Sequence, residues 1–225
     1  MKSLEEIIEH VKSNHEKLRS YIATGIDNGY NIVLVHLTGP GALQKPNLLG
    51  VTNPEFYNAR RYKDKILAEF DSKPGQYTYG VMLGKQPGGF YLICIEIDID
   101  NECKEIARKK YEEFFQKYGI SYHLETTLSG RYHIFFAVDK VSNKLKKLIE
   151  LVSDCDAIKY LGGKPVKGEI RILGIDSPHL GTVYNGIANN WKPFYGKIRK
   201  FLQRRFVLWK ADKIACLKTV TPQGN

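Results

Sequence analysis

A chain of 225 residues, 43% of them apolar, has material for one large domain or two small modules sharing a core. Its formal charge of +10, from 34 Lys and Arg against 24 Asp and Glu, favours a polyanionic partner, nucleic acid before membrane. No apolar run reaches the length of a bilayer span, and the first ten residues read as amphipathic helix rather than signal peptide. A cytoplasmic protein without a membrane partner is therefore expected.

Residues 3–23 set Leu4, Ile7, Ile8, Val11, Leu18 and Ile22 at helical spacing, and Gly25 with Asp27-Asn28-Gly29 is expected to end that helix. A strand over 31–37 follows, then a loop through Gly39, Pro40, Gly41 and Pro46. Residues 54–70 return to a helical pattern and carry the basic cluster Arg60-Arg61-Tyr62-Lys63, whose plainest reading is a solvated face. A strand over 77–83 is expected to fold back through the turn 84–89 onto a strand over 91–100 as a hairpin. Asn101 can cap a helix whose pattern runs through Ile106, Tyr111, Phe114 and Phe115 to Gly119. Strands over 120–127 and 132–138, a helix near 142–153, an extended piece near 157–161 and a strand over 168–173 come next. After Gly181 the chain turns basic and aromatic, with a helix expected from 193 to about 205. From residue 91 onward, the order strand, helix, strand, strand, helix, strand is that of a split βαβ sheet with helices on one face.

The strand from Tyr91 to Asp100 carries the chemistry. Successive side chains on a strand face opposite ways, so Glu96, Asp98 and Asp100 share one face while Ile95, Ile97 and Ile99 fill the other. Asp98 and Asp100 then stand about 6.6 Å apart, which suits two carboxylates around one divalent cation or bridging a pair of them. The competing reading is a strand whose polar face is merely solvated. A second motif is Ser129-Gly130-Arg131-Tyr132-His133. If it is extended, Ser129, Arg131 and His133 share a face where a hydroxyl, a guanidinium and an imidazole can hold phosphate oxygens. The third is Glu169-Ile170-Arg171. Its carboxylate is what a two-metal phosphoryl or nucleotidyl transfer site needs beside an Asp-x-Asp pair, although a cross-strand salt bridge fits as well. Cys94, Cys103, Cys155 and Cys216 are scattered, with no Cys-x-x-Cys pair, so they read as free thiols and neither a structural zinc nor a disulfide framework is expected.

The series of an acidic strand ending in Asp98 and Asp100, Ser129-Gly130 followed by His133, and Glu169 followed by Arg171 resembles the archaeo-eukaryotic primases. More narrowly, it is similar to the prim-pol (bifunctional primase–polymerase) domains of mobile elements, over residues 30–180 and most clearly over 79–174. The resemblance implies an α/β module over 1–90 packed on an RRM-like catalytic module over 91–180, with the active site in the cleft between them and a basic aromatic segment over 181–225. It implies that Asp98 and Asp100 are the catalytic pair that binds Mg²⁺ or Mn²⁺, and that Glu169 stands where the family commonly has Asp. Ser129 and His133 match the motif that contacts the incoming nucleotide's phosphates, with Arg131 and Arg171 as basic helpers. The implied partners are a single-stranded or primed DNA template, dNTP or NTP substrates, and a helicase or accessory domain beyond this chain.

Template contact is expected on the C-terminal segment, where Lys192, Lys197, Arg199, Lys200 and Arg204 accompany Trp191, Phe194 and Tyr195. The alternative there is an amphipathic helix with its aromatics packed inward. Two other functional classes fit parts of the pattern. A non-catalytic RRM-like module would explain sheet and charge but would display aromatics rather than acids on its strands. A metal-dependent nuclease would use the carboxylates without needing Ser129 and His133 for phosphate binding.

Overall fold

The computed structural model describes residues 4–37, 46–53, 56–99, 101–126, 130–143, 145, 147, 160–161, 164–165, 167–175 and 180–181, and its fold is mixed α+β with antiparallel sheets and no closed barrel. The chain opens with α1 (Leu4–Ser13) and α2 (His15–Asp27) rather than the single expected helix. Asn14 interrupts it: its side-chain amide donates to the His10 carbonyl at 2.8 Å, competing with the backbone ladder. Gly25 does not end α2 but is buried within it. The stop comes at Asn28, where Gly29 N–H donates to the Ile26 carbonyl and Tyr30 N–H to the Gly25 carbonyl, closing the last turn.

The first sheet is built from β1 (Ile32–His36), β2 (Pro46–Asn47), β3 (Tyr77–Met82) and β11 (Leu180–Gly181), in the order β11-β3-β1-β2. Between β2 and β3, a 3-10 turn at Ala59–Tyr62 leads into α3 (Lys63–Ser72). The basic cluster lies there, with Arg60 and Arg61 exposed and Lys63 paired with Asp27 at 2.6 Å, as a solvated face would have it.

The expected hairpin between 77–83 and 91–100 is replaced by a change of sheet. β3 pairs with β1, and it is the short β4 (Gly84–Lys85) that pairs with Tyr91 and Leu92. Gly84, at φ 88°, takes a backbone angle that other residues rarely adopt, so the strand direction breaks there. Gln86 pins the crossing. Its Nε2 donates to the Met82 and Gly84 carbonyls at 2.7 and 2.9 Å, and its Oε1 accepts from the Asn31 N–H at 2.8 Å.

The second sheet contains β5 (Tyr91–Ile99), β6 (Tyr122–Thr126), β7 (Tyr132–Val138) and β10 (Gly168–Leu173), in the order β10-β5-β7-β6. The helix α4 (Asn101–Tyr118) links β5 to β6, and β7 lies between those two strands, which is the split βαβ arrangement. A two-stranded piece, β8 (Tyr160–Leu161) with β9 (Lys164–Pro165), precedes β10. Most of the helix expected at 142–153 and all of 182–225 lie outside the described residues.

Strand alternation divides the core in two. Ile93, Ile95, Ile97, Ile134, Phe136 and Val138 face α4 and pack on Tyr111, Phe114 and Phe115. From the opposite face, Leu92, Cys94, Phe135 and Ala137 join the cluster formed by α1 to α3 and the first sheet. That second face begins apolar and buried and ends charged.

Candidate active site

On that face two rows of polar side chains cross the sheet. In the first, the pairings Arg171↔Glu96, Glu96↔His133 and Glu125↔His133 line up β10, β5, β7 and β6. Two residues further along β5, Glu169 stands opposite Asp98. Arg131, just before β7, continues the second row and meets Asp98 with Nε 2.6 Å from Oδ1. Residues as far apart in sequence as Glu96 and Arg171 therefore converge because the antiparallel strands run in register.

The first row alternates acidic and basic side chains. Glu125 Oε2 lies 3.9 Å from His133 Nδ1, and His133 Nε2 lies 3.6 Å from Glu96 Oε1. These are ion-pair contacts, longer than hydrogen bonds. Glu96 Oε2 then takes Arg171 at 2.7 Å, and Arg171 Nε reaches Glu169 at 3.3 Å. Glu96, Glu125 and His133 are buried, whereas Arg171 and Glu169 are open to solvent.

Burial is the largest influence on all three buried groups, and it opposes charge. For Glu96, burial pushes the carboxyl up, but His133 and Arg171 together carry its pKa below the ordinary value. For His133, burial pulls the imidazole down, yet the two flanking carboxylates hold its pKa above 6.5. Glu125 is raised, because burial outweighs the pull of His133. One of its oxygens, Oε1, is buried without a hydrogen-bond partner. The Cys94 thiol, two residues back along β5 on the same face, is pushed well up by burial.

Local contacts fix the approach to each row. Lys104, on the first turns of α4, donates from Nζ to the Gly130 carbonyl at 2.7 Å, tethering the turn that carries Arg131. Tyr132 donates to Glu105 of α4 and lies under the cations of Lys104 and Arg108, so the start of β7 is latched to the helix. On the other side, Gly168 has φ 103°, and a Cβ there would fall 2.1 Å from the Asp98 carbonyl oxygen. Only glycine lets β10 approach β5 beside the acidic residue.

The structure thus brings together Asp98, Glu169, Arg131, His133 and Arg171. Asp100 and Ser129 lie outside the described residues, as do Lys192, Lys197, Arg199, Lys200 and Arg204. Asp98 and Glu169 are facing oxygen donors on a partly exposed surface, a donor set that fits a hard divalent cation. Among the described residues no group of three or more His, Cys, Asp or Glu is gathered to hold a metal. Among them, too, no helix is long and apolar enough to cross a membrane. The salt-bridge alternative for Arg171 is realised, in its contact with Glu96. Glu125 was not singled out from the sequence; the alternation of His123, Glu125 and Thr127 beside the strand of His133 was its available signal. No family model, no curated protein and no solved structure matches this chain.

Proposed function

We propose that the chain is a metal-dependent nucleotidyltransferase of the primase–polymerase kind, extending or starting a DNA strand on a template. The observation that carries this reading is the meeting, on one sheet face, of Asp98, Glu169, Arg131, His133 and Arg171 from three separate motifs. Asp98 and Glu169, with Asp100, would hold Mg²⁺ or Mn²⁺. Such cations supply activation of the attacking 3′-hydroxyl and neutralisation of the triphosphate.

The chain's own contribution is positioning and charge. Arg131 neutralises Asp98 and stands half-exposed at the edge of the row, where it can turn to a phosphate oxygen. Arg171 bridges Glu96 and Glu169, leaving the rest of its guanidinium fork for the triphosphate. His133 is buried between two carboxylates, so its part is to hold Glu96 in place rather than to present an open imidazole.

A non-catalytic nucleic-acid-binding module is the second reading, and the Arg131–Asp98 ion pair favours it, because a purely structural carboxylate would be paired in this way. The deciding experiment is extension of a labelled primer–template with dNTPs and Mg²⁺ or Mn²⁺, comparing wild type with Asp98→Ala. Extension lost in the variant supports the polymerase. A folded wild type that binds DNA and extends nothing supports the binding module, and shortening of the primer points to a nuclease.

A further inference from the structure

The face that carries the candidate site buries three ionisable groups where apolar ones would fold more cheaply. Two residues away on the same strands, Cys94 and Phe135 occupy the equivalent positions, so the sheet accepts apolar side chains there. Taking Glu96, His133 and Glu125 out of water costs free energy that is offset for Glu96 by His133 at 3.6 Å and Arg171 at 2.7 Å, and for Glu125 by His133 alone, at 3.9 Å. Glu125 is the most telling of the three. Its ion-pair contact is with the buried His133, and one of its oxygens is buried with no hydrogen-bond partner.

Resting on the nucleotidyltransferase reading, we infer that Glu125 is a positioning residue of the site: it holds His133 against Glu96, and Glu96 in turn holds Arg171 beside Glu169. The chain of contacts runs the width of the sheet, from β6 to β10, with acidic and basic side chains alternating at every step. Each member has its neighbour of opposite charge on the adjacent strand, except Arg171 and Glu169, which are two apart on one strand. Without Glu125 the imidazole loses one of the two carboxyl groups that flank and centre it. Glu96 then draws on Arg171 alone, and the guanidinium moves toward it and away from Glu169. Outer groups of this kind orient the residues that touch substrate, and losing one costs roughly ten-fold in affinity or activity.

The test uses the full chain with Glu125→Gln, Glu125→Asp and His133→Gln, each first checked for cooperative thermal unfolding. In Glu125→Gln the KM for the incoming nucleotide should rise roughly ten-fold while kcat changes little, and Glu125→Asp should recover most of the loss. The ¹⁵N-resolved Nε–H resonance of Arg171 should shift in Glu125→Gln, and the same way in His133→Gln, which cuts the chain at its next link. An Arg171 resonance unmoved in a folded Glu125→Gln, or in a folded His133→Gln where the first variant fails to fold, overturns the inference and leaves Glu125 as packing alone. That resonance decides the matter even in a chain that extends no primer, where only the polymerase reading falls.

Discussion

Cys94 stands opposite Phe135 on β5 and β7, and two residues further on Glu96 stands opposite His133. The first pair closes onto the core shared with α1 to α3, and the second begins the charged half of the same face. Backbone geometry and pairing are the same in both halves; what differs is what the face meets. Where the first sheet and its helices cover it, burial selects apolar side chains, whose removal from water contributes about 25 cal/mol per Å². Where that cover ends, burial of a charged carboxylate is favoured by cations beside it, and Glu96 has His133 on one side and Arg171 on the other. One strand thus serves as core at its start and as a candidate site at its end.

Truncation in the apolar half should have the largest effect on stability. Phe135→Ala leaves a cavity under the first sheet and is expected to cost about 3–5 kcal/mol in chemical denaturation. Glu96→Ala comes next, at about 3 kcal/mol, because it strands the buried His133 without one of its carboxylates. If Glu96→Ala proved as stable as wild type, the charged half would be no more than a solvated edge.

A smaller effect should follow pH. His133 binds its proton more tightly in the folded chain than unfolded, so its stabilising contribution is complete below pH 6.5 and fades as pH rises through the raised pKa. Glu96 runs the other way, contributing fully above 4.5 and losing that contribution as pH falls through its depressed value. Denaturation midpoints taken across pH should therefore decline on both sides, and His133→Gln should flatten the alkaline limb. Smallest of all is Asp98→Asn. Its pair with half-exposed Arg131 is worth under about 1 kcal/mol, so the melting temperature should barely move. On the nucleotidyltransferase proposal primer extension should nevertheless disappear, which would separate a residue kept for chemistry from one kept for folding.

Much of this is legible in the sequence. The alternation in 91–100 assigns Glu96 and Asp98 to one face and the isoleucines to the other, and the order of elements from 91 onward announces the split βαβ sheet. The helix break at Asn14 was missed because a side chain competing for a carbonyl leaves the apolar spacing intact. The change of sheet at Gly84 was missed because a strand, a glycine turn and another strand spell a hairpin unless something else holds the first strand. Here that is β1, paired with β3 from Tyr77 to Val81.

What the sequence alone determined is facing: side chains two apart on a strand point the same way whatever surrounds them, so Glu169 and Arg171, or Arg131 and His133, were bound to share a face. Which residue stands across from which was decided only by the tertiary structure. Register depends on contacts remote in sequence, such as Gly168 lying against the Asp98 carbonyl and Lys104 holding Gly130. The burial of Glu96, His133 and Glu125 was decided there too, since their ionisation answers to neighbours on other strands and to how much water those neighbours exclude.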